Sequence, residues 1–156
     1  MQSAAQLLTA YLDTRYDVRL PGGRRACLRI GESVPEPVRE WVGRDWPLLC
    51  ISACNPHSQR LSPTANRIRT RQLLRVIQAD GHRTLHGVGH VPGQVWREAS
   101  IFVAAVSTHQ ADELAREFEQ KAIVMADEGK CVRLRLLAEP LWQAMAEKTF
   151  ADWAGQ

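Results

Sequence analysis

The stretch from Trp46 to Asp80 constrains the fold more than any other: an apolar run, WPLLCISA, a short polar loop, CNPHSQRL, and then a helix that opens at Ser62-Pro63 and carries four arginines. From Leu48 to Ala53 the run is apolar on both parities apart from Ser52. A strand covered on both faces needs that pattern, whereas a strand with one wet face alternates. The run is therefore expected in the middle of a sheet. Asn55-Pro56 ends it, because proline cannot donate to a ladder and asparagine bonds its own backbone in turns. Ser62 is placed to N-cap the helix, with Pro63 at the first helical position, where a missing N–H costs nothing. Ala65, Ile68, Leu73, Val76 and Ile77 form the predicted apolar stripe, and Arg67, Arg71 and Arg75 recur at four-residue spacing on another face. Gly81 is the expected left-handed terminator.

The flanking sequence supplies further elements. Ala4, Leu7, Leu8, Tyr11 and Leu12 have helical spacing behind a Ser3 cap. Tyr16, Val18 and Leu20, then Ala26, Leu28 and Ile30, alternate on either side of Pro21-Gly22-Gly23, which predicts a hairpin with one buried face and arginines outward. A short helix from Pro35 or Pro37 through Val42 leads into the central strand. After the arginine helix come a modest strand at 82–89, a Pro-Gly turn at 91–95, and a second strongly apolar strand at 100–106. A helix opened by a Ser107/Gln110 capping box follows, then a strand at 122–126 and, past a turn, a half-exposed strand at 132–136. A last helix begins near Pro140, and the tail beyond Lys148 is expected to fray.

Residues 46–126 thus run strand, helix, strand, strand, helix, strand. This is the ferredoxin-like order, in which the first and third strands lie in the middle, and those two are the apolar ones here. The expected fold is α+β: a ferredoxin-like βαββαβ core over 46–126, extended by an N-terminal helix plus β-hairpin and by a C-terminal strand plus helix. The alternative is a strongly bent antiparallel sheet, or small barrel, with flanking helices, because sequence does not settle how the hairpins pair. At 156 residues the chain makes one domain.

No apolar run approaches the roughly 18 residues of a membrane span, and no basic-then-apolar leader is present, so a cytoplasmic protein without membrane contact is expected. Cys27, Cys50, Cys54 and Cys131 lack C-x-x-C spacing, in a chain large enough to do without staples, and are read as free thiols. Charge is unevenly spread. Residues 46–97 hold seven arginines against the single acid Asp80, whereas 107–156 hold nine acids against six bases. A basic middle attracts phosphate or an acidic partner, although an arginine-rich helix face is also simply well solvated.

Three constellations invite a chemical reading. His82, His86 and His90 recur every four residues, but Gly87 and Gly89 argue against a helix, and a strand would spread them by about 13 Å, so no metal site and no cofactor is expected. Cys54 and His57 stand beside a helix N-terminus that would activate a thiol, yet three residues across a turn seldom orient such a pair. Gly87-Val88-Gly89 lacks the following helix of a phosphate cradle and reads as turn chemistry. No acid, base and nucleophile stand together, so no reaction is assigned.

Asn55-Pro56-x-Ser58, Leu61-Ser62-Pro63, Asn66, Arg69, Gly87-x-Gly89, Trp96-x-Glu98-x-Ser100 and Phe118-x-Gln120-x-Ala122 are ordered and spaced as in a bacterial family, domain of unknown function 3293, which the chain resembles over nearly all of its length before the last helix. The family brings no activity with it. The chain departs from its pattern at Ala65 and Val91, where acids are expected, and at Glu119, in place of a glycine.

Threading 46–126 through the ferredoxin-like order brings distant polar residues to one edge of the sheet, where function usually resides on loops. The expected function is binding of a small anionic ligand by Asn55, His57, Ser58, Arg60, Ser62, Asn66, Arg69, Trp96, Glu98 and Gln120, with the helix N-terminus contributing free N–H groups. The alternative is a nucleic-acid or protein interaction module that uses Arg67, Arg71 and Arg75.

Overall fold

The computed structural model describes residues 2–146 and 148–155. Its centre is β3 (Leu48–Ile51), buried throughout and paired antiparallel on both sides, with β5 (Arg97–Ala104) and β6 (Ala122–Ala126). Outward from β5 lie β4 (Thr84–His90), β1 (Arg15–Arg19) and β2 (Arg25–Leu28), and outward from β6 lie β7 (Arg133–Leu136) and β8 (Ala151–Trp153). Every pairing is antiparallel except β7 with β8. The eight-stranded sheet is strongly curled, a half-barrel. The chain therefore forms the strongly bent antiparallel sheet with flanking helices.

Period-2 alternation divides the hydrophobic residues between two faces. On the convex face, Leu49, Ile51, Ile101, Val103, Ile123 and Met125 meet α3 (Pro63–Ala79) and α4 (Thr108–Glu117) through Leu73, Ile77, Ala111 and Leu114. On the concave face, Leu48, Cys50, Phe102 and Val124 meet α1 (Ala4–Asp13), α2 (Glu36–Val42) and α5 (Glu139–Ala144) through Leu7, Leu8, Val38, Val42 and Leu141. The unbroken apolar run of β3 is the consequence of lying between these two layers.

Local signals hold at most element ends. Ser3 and Ser107 close capping boxes with Gln6 and Gln110, Ser62 accepts from the Ala65 N–H, and Gly81 takes φ +82°. Three expectations need correction. Ile68 is 50% exposed, since five residues carry it about 140° round the helix from buried Leu73. Gly87 and Gly89 are strand residues, not a turn: a Cβ at Gly87 would come within 2.5 Å of the Asp17 carbonyl and of the Phe102 ring, so glycine is needed for Phe102 to pack against β4. The tail does not fray at once, because β8 adds a parallel edge to β7. The half-exposed alternation of β7 is as expected, and its outward Arg133 and Arg135 bind Asp152 and Asp112.

Ile77 is fully buried while Arg71 is exposed on the same helix. Ile77→Ala should cost about 2–5 kcal/mol and Arg71→Ala under about 0.5 kcal/mol in urea denaturation; equal costs would mean that the helix faces are misassigned.

Candidate functional site

The concave face encloses a cavity of about 300 Å³ at the end of β3. Its floor consists of same-parity residues of neighbouring strands and their extensions: Cys50 on β3 with Ser52 and Cys54 just beyond its end, Glu98 and Ser100 on β5, and Val124 on β6. Tyr11, Thr14 and Tyr16, from the end of α1 and the start of β1, form one wall. Asn55, Ser58, Trp96 and Gln120 close the loop side.

Glu98 is the only acid in this lining and Lys121 the only base. Glu98 lies opposite Gly89 in the β4–β5 ladder, and its partners are side chains: Asn55 Nδ2 donates to it at 3.2 Å, and the Ser52 hydroxyl lies near enough to lower its pKa. Burial raises its pKa above the ordinary 4.5, against the smaller lowering by Ser52 and Asn55. The walls are correspondingly dry. Burial pushes the Cys50 thiol and the Tyr11 phenol up to about 12, and the charge of Glu98 adds to both. Beside Cys50, the buried Ser100 hydroxyl makes no hydrogen bond by geometry, although it lies close enough to the thiol to offset part of that rise.

The loop side is held differently. Asn55 adopts a left-handed conformation at φ +49°; its Oδ1 accepts from Leu61 N and Asn66 Nδ2, both at 2.9 Å, while Asn66 Oδ1 accepts from Asn55 N. Gln120 Nε2 donates to the carbonyls of Cys54 and Phe118. Arg69 ties β3 to the end of α4: Nε donates to the Ala53 carbonyl at 2.7 Å, Nη2 to that of Phe118 at 2.6 Å, and Nη1 pairs with Glu119 at 3.3 Å. His57 and Ser58 also have positive φ, as does Glu119, whose carbonyl accepts from His57 N. The departure from the family's glycine thus falls on a left-handed position.

Of the ten residues expected to bind ligand, five line the cavity: Asn55, Ser58, Trp96, Glu98 and Gln120. Asn66 and Arg69 stand behind them, with their polar groups committed to the loop. His57 is exposed and pairs with Glu119, Arg60 is exposed, and Ser62 serves as the α3 cap, so none of these three lines the cavity. The sequence reading missed Tyr11, Thr14 and Tyr16 altogether. It also treated Cys50 and Ser52 as equally buried core, whereas Ser52 is only partly buried because it faces the cavity. One signal was present: Cys50, Ser52 and Cys54 share a parity, as do Glu98 and Ser100, and polar residues recurring at i, i+2 in otherwise apolar strands mark a face that is not wholly packed.

The residues that organise this edge, Asn55, Asn66, Arg69, Glu98 and Gln120, all fall in one contiguous part of the chain. Residues 51–123 match the family described as Protein of unknown function (DUF3293). The DUF3293 segment runs from the end of β3 to β6, narrower than the resemblance, and the tyrosine wall from α1 and β1 lies outside it. No curated protein and no solved structure matches the chain. Among the described residues, no group of three or more histidine, cysteine or carboxylate side chains is arranged to hold a metal, and no helix is long and apolar enough to cross a membrane.

Proposed function

We propose that the chain binds a small ligand in the concave cavity, with Glu98 as its polar anchor. The observation that carries this reading is the isolation of Glu98: Asn55 and Gln120 satisfy backbone groups, but the Glu98 carboxylate meets only an amide and a hydroxyl and has no cationic partner among the described residues. A half-buried carboxylate so placed is costly and is fitted to take donor groups from a guest. This also sets the charge of the ligand. An anion would have to approach Glu98 with Lys121 as the single lining cation to offset it, since Arg69 has committed its guanidinium to carbonyls and Glu119, and Arg60 lies outside the cavity. A neutral or cationic ligand bearing an N–H or O–H group suits the site better than the anion expected from sequence. Tyr11, Tyr16 and Trp96 add aromatic surface that favours a cation.

The same reading treats 46–126 as a ferredoxin-like unit enlarged at both edges. It is supported by the local order β4-β5-β3-β6, which puts the unit's first and third strands side by side, and by α3 and α4 sharing one face.

Glu98→Gln tests the anchor. Because folding raises the pKa of this carboxyl, the folded chain holds the proton more tightly than the unfolded one. The stability contributed by Glu98 is then greatest at low pH and falls as pH rises from about 4.5 through the folded-state value. Glu98→Gln should therefore match or exceed the wild-type melting temperature at pH 7, with the gap closing toward pH 4.5. In a thermal-shift screen of small amines and polyols, any compound that stabilises the wild type should lose its effect in Glu98→Gln. A variant that melts well below wild type at pH 7, or binds such compounds equally well, would overturn the assignment.

A further inference from the structure

On the convex side, α3 and α4 cover only the middle of the sheet, and none of the apolar residues packed there comes from β1, β2 or β4. The uncovered wing displays the outward parity of β2, β1, β4 and the first residues of β5. Arg15, Arg19, Arg25, His86 and Arg97 are all exposed on it. The ladder registers place these charges against one another: Arg19 directly faces Arg25 across β1–β2, and His90 is flanked by Arg15 on β1 and Arg97 on β5. Like charges directly opposite one another in a sheet are unfavourable. Relief by acids is slight. Asp17 is the only carboxylate in the shallow trough of about 570 Å³ between these rows, and it is engaged by His90 at 2.6 Å. Among the described residues, none of Arg15, Arg19, Arg25 and Arg97 forms an ion pair, although some arginines elsewhere on the chain bind Glu40, Asp45, Glu119, Asp152 and Asp112.

We propose that this open sheet face binds the phosphate backbone of a nucleic acid without reading its bases. Two features favour a polyanion over a single phosphate: the cations form two rows over several strands rather than converging on one point, and they continue onto the same side of the sheet through Arg67, Arg71 and Arg75, exposed on α3. Between the rows lie Val88, Ala99, Cys27 and Asp17, so apart from the His86 and His90 imidazoles the face offers no aromatic ring for base stacking, and it offers no large apolar residue to enter a bilayer. Binding of this kind is electrostatic and independent of sequence. The surface lies across the sheet from the Glu98 cavity, so it stands or falls separately from the ligand site.

The test is fluorescence anisotropy of the full chain with fluorescein-labelled oligonucleotides, single-stranded and duplex, over a salt series. Four arginine contacts to a single strand predict a slope of log K against log salt near −3, so affinity should fall by roughly fifty-fold between about 50 and 200 mM salt. Arg19→Ala with Arg25→Ala should reduce the slope to about half and leave the melting temperature unchanged or raised, since the facing charges are relieved. Arg71→Ala with Arg75→Ala should have the smaller effect. The proposal is overturned if no oligonucleotide binds at 50 mM salt, or if the Arg19/Arg25 variant keeps the full slope. It is overturned equally if vesicles containing phosphatidylglycerol bind while oligonucleotides do not, or if that variant melts lower, which would make the arginines structural.

Discussion

Replacing Asp112 with alanine should destabilise the protein by about 3–5 kcal/mol, which for a chain of this size is roughly 6–20 °C in melting temperature. Asp112 sits on α4 and receives both arms of Arg135 from β7, Nε at 2.6 Å and Nη2 at 2.7 Å, in a pair whose side chains are only 9% and 16% exposed. The bond joins a convex-face helix to a strand on the far side of β6. Removing the carboxylate leaves a guanidinium held in a confined place with its charge unanswered, and that loss exceeds what the intact pair adds. Replacing both partners together, Asp112→Leu with Arg135→Met, should cost distinctly less than Asp112→Ala alone. The measurement is the urea midpoint at unchanged slope. A cost under about 1 kcal/mol for Asp112→Ala would show that the pair behaves as a solvated surface bridge.

The second large effect is expected at Arg69. Arg69→Ala should cost about 2–4 kcal/mol, or roughly 4–16 °C, because it strips donors from the Ala53 and Phe118 carbonyls and a partner from Glu119. Backbone N–H exchange should quicken over 54–58 and around 118–120, the two segments that the guanidinium ties together, and stay slow in β5. A ligand-contacting arginine would behave otherwise, with an unchanged melting temperature. The sequence alone left those two outcomes open for Arg69. The donors committed to carbonyls favour the structural one, and Glu98, with no backbone partner, is the residue for which the functional outcome is expected.

How much of the site was legible follows from which forces are local. Asn55, Glu98 and Gln120 could be brought to one edge from the order of elements alone, because strand and helix directions alternate once types are assigned, and Asn55 does meet Glu98. Which side of that edge each side chain faces was not legible. Asn66 and Arg69 share a helix end with Ser62, but whether a polar group is spent on a carbonyl or left for a ligand depends on backbone that arrives from 50 residues away. The tyrosine wall was illegible for a related reason: Tyr11 and Tyr16 fit equally well as ordinary core of a helix and a strand. Only the curl of the sheet turns the start of β1 toward the end of β3.

By itself, the sequence determined what short-range physics decides. The apolar run through β3 required burial on both faces; Ser3, Ser62 and Ser107 start three helices by capping their first turns, and Gly81 ends one. The tertiary structure alone decided the rest. Strand pairing across long separations is non-local, so nothing in β8 announced a parallel partner in β7, and nothing in the β1–β2 hairpin announced that no acid would come to pair Arg19 and Arg25. The same holds for Glu98. Its isolation results from what packs around it, since the free energy of a carboxylate is set by the water, charges and donors within a few ångströms, and only folding determines which of those remain.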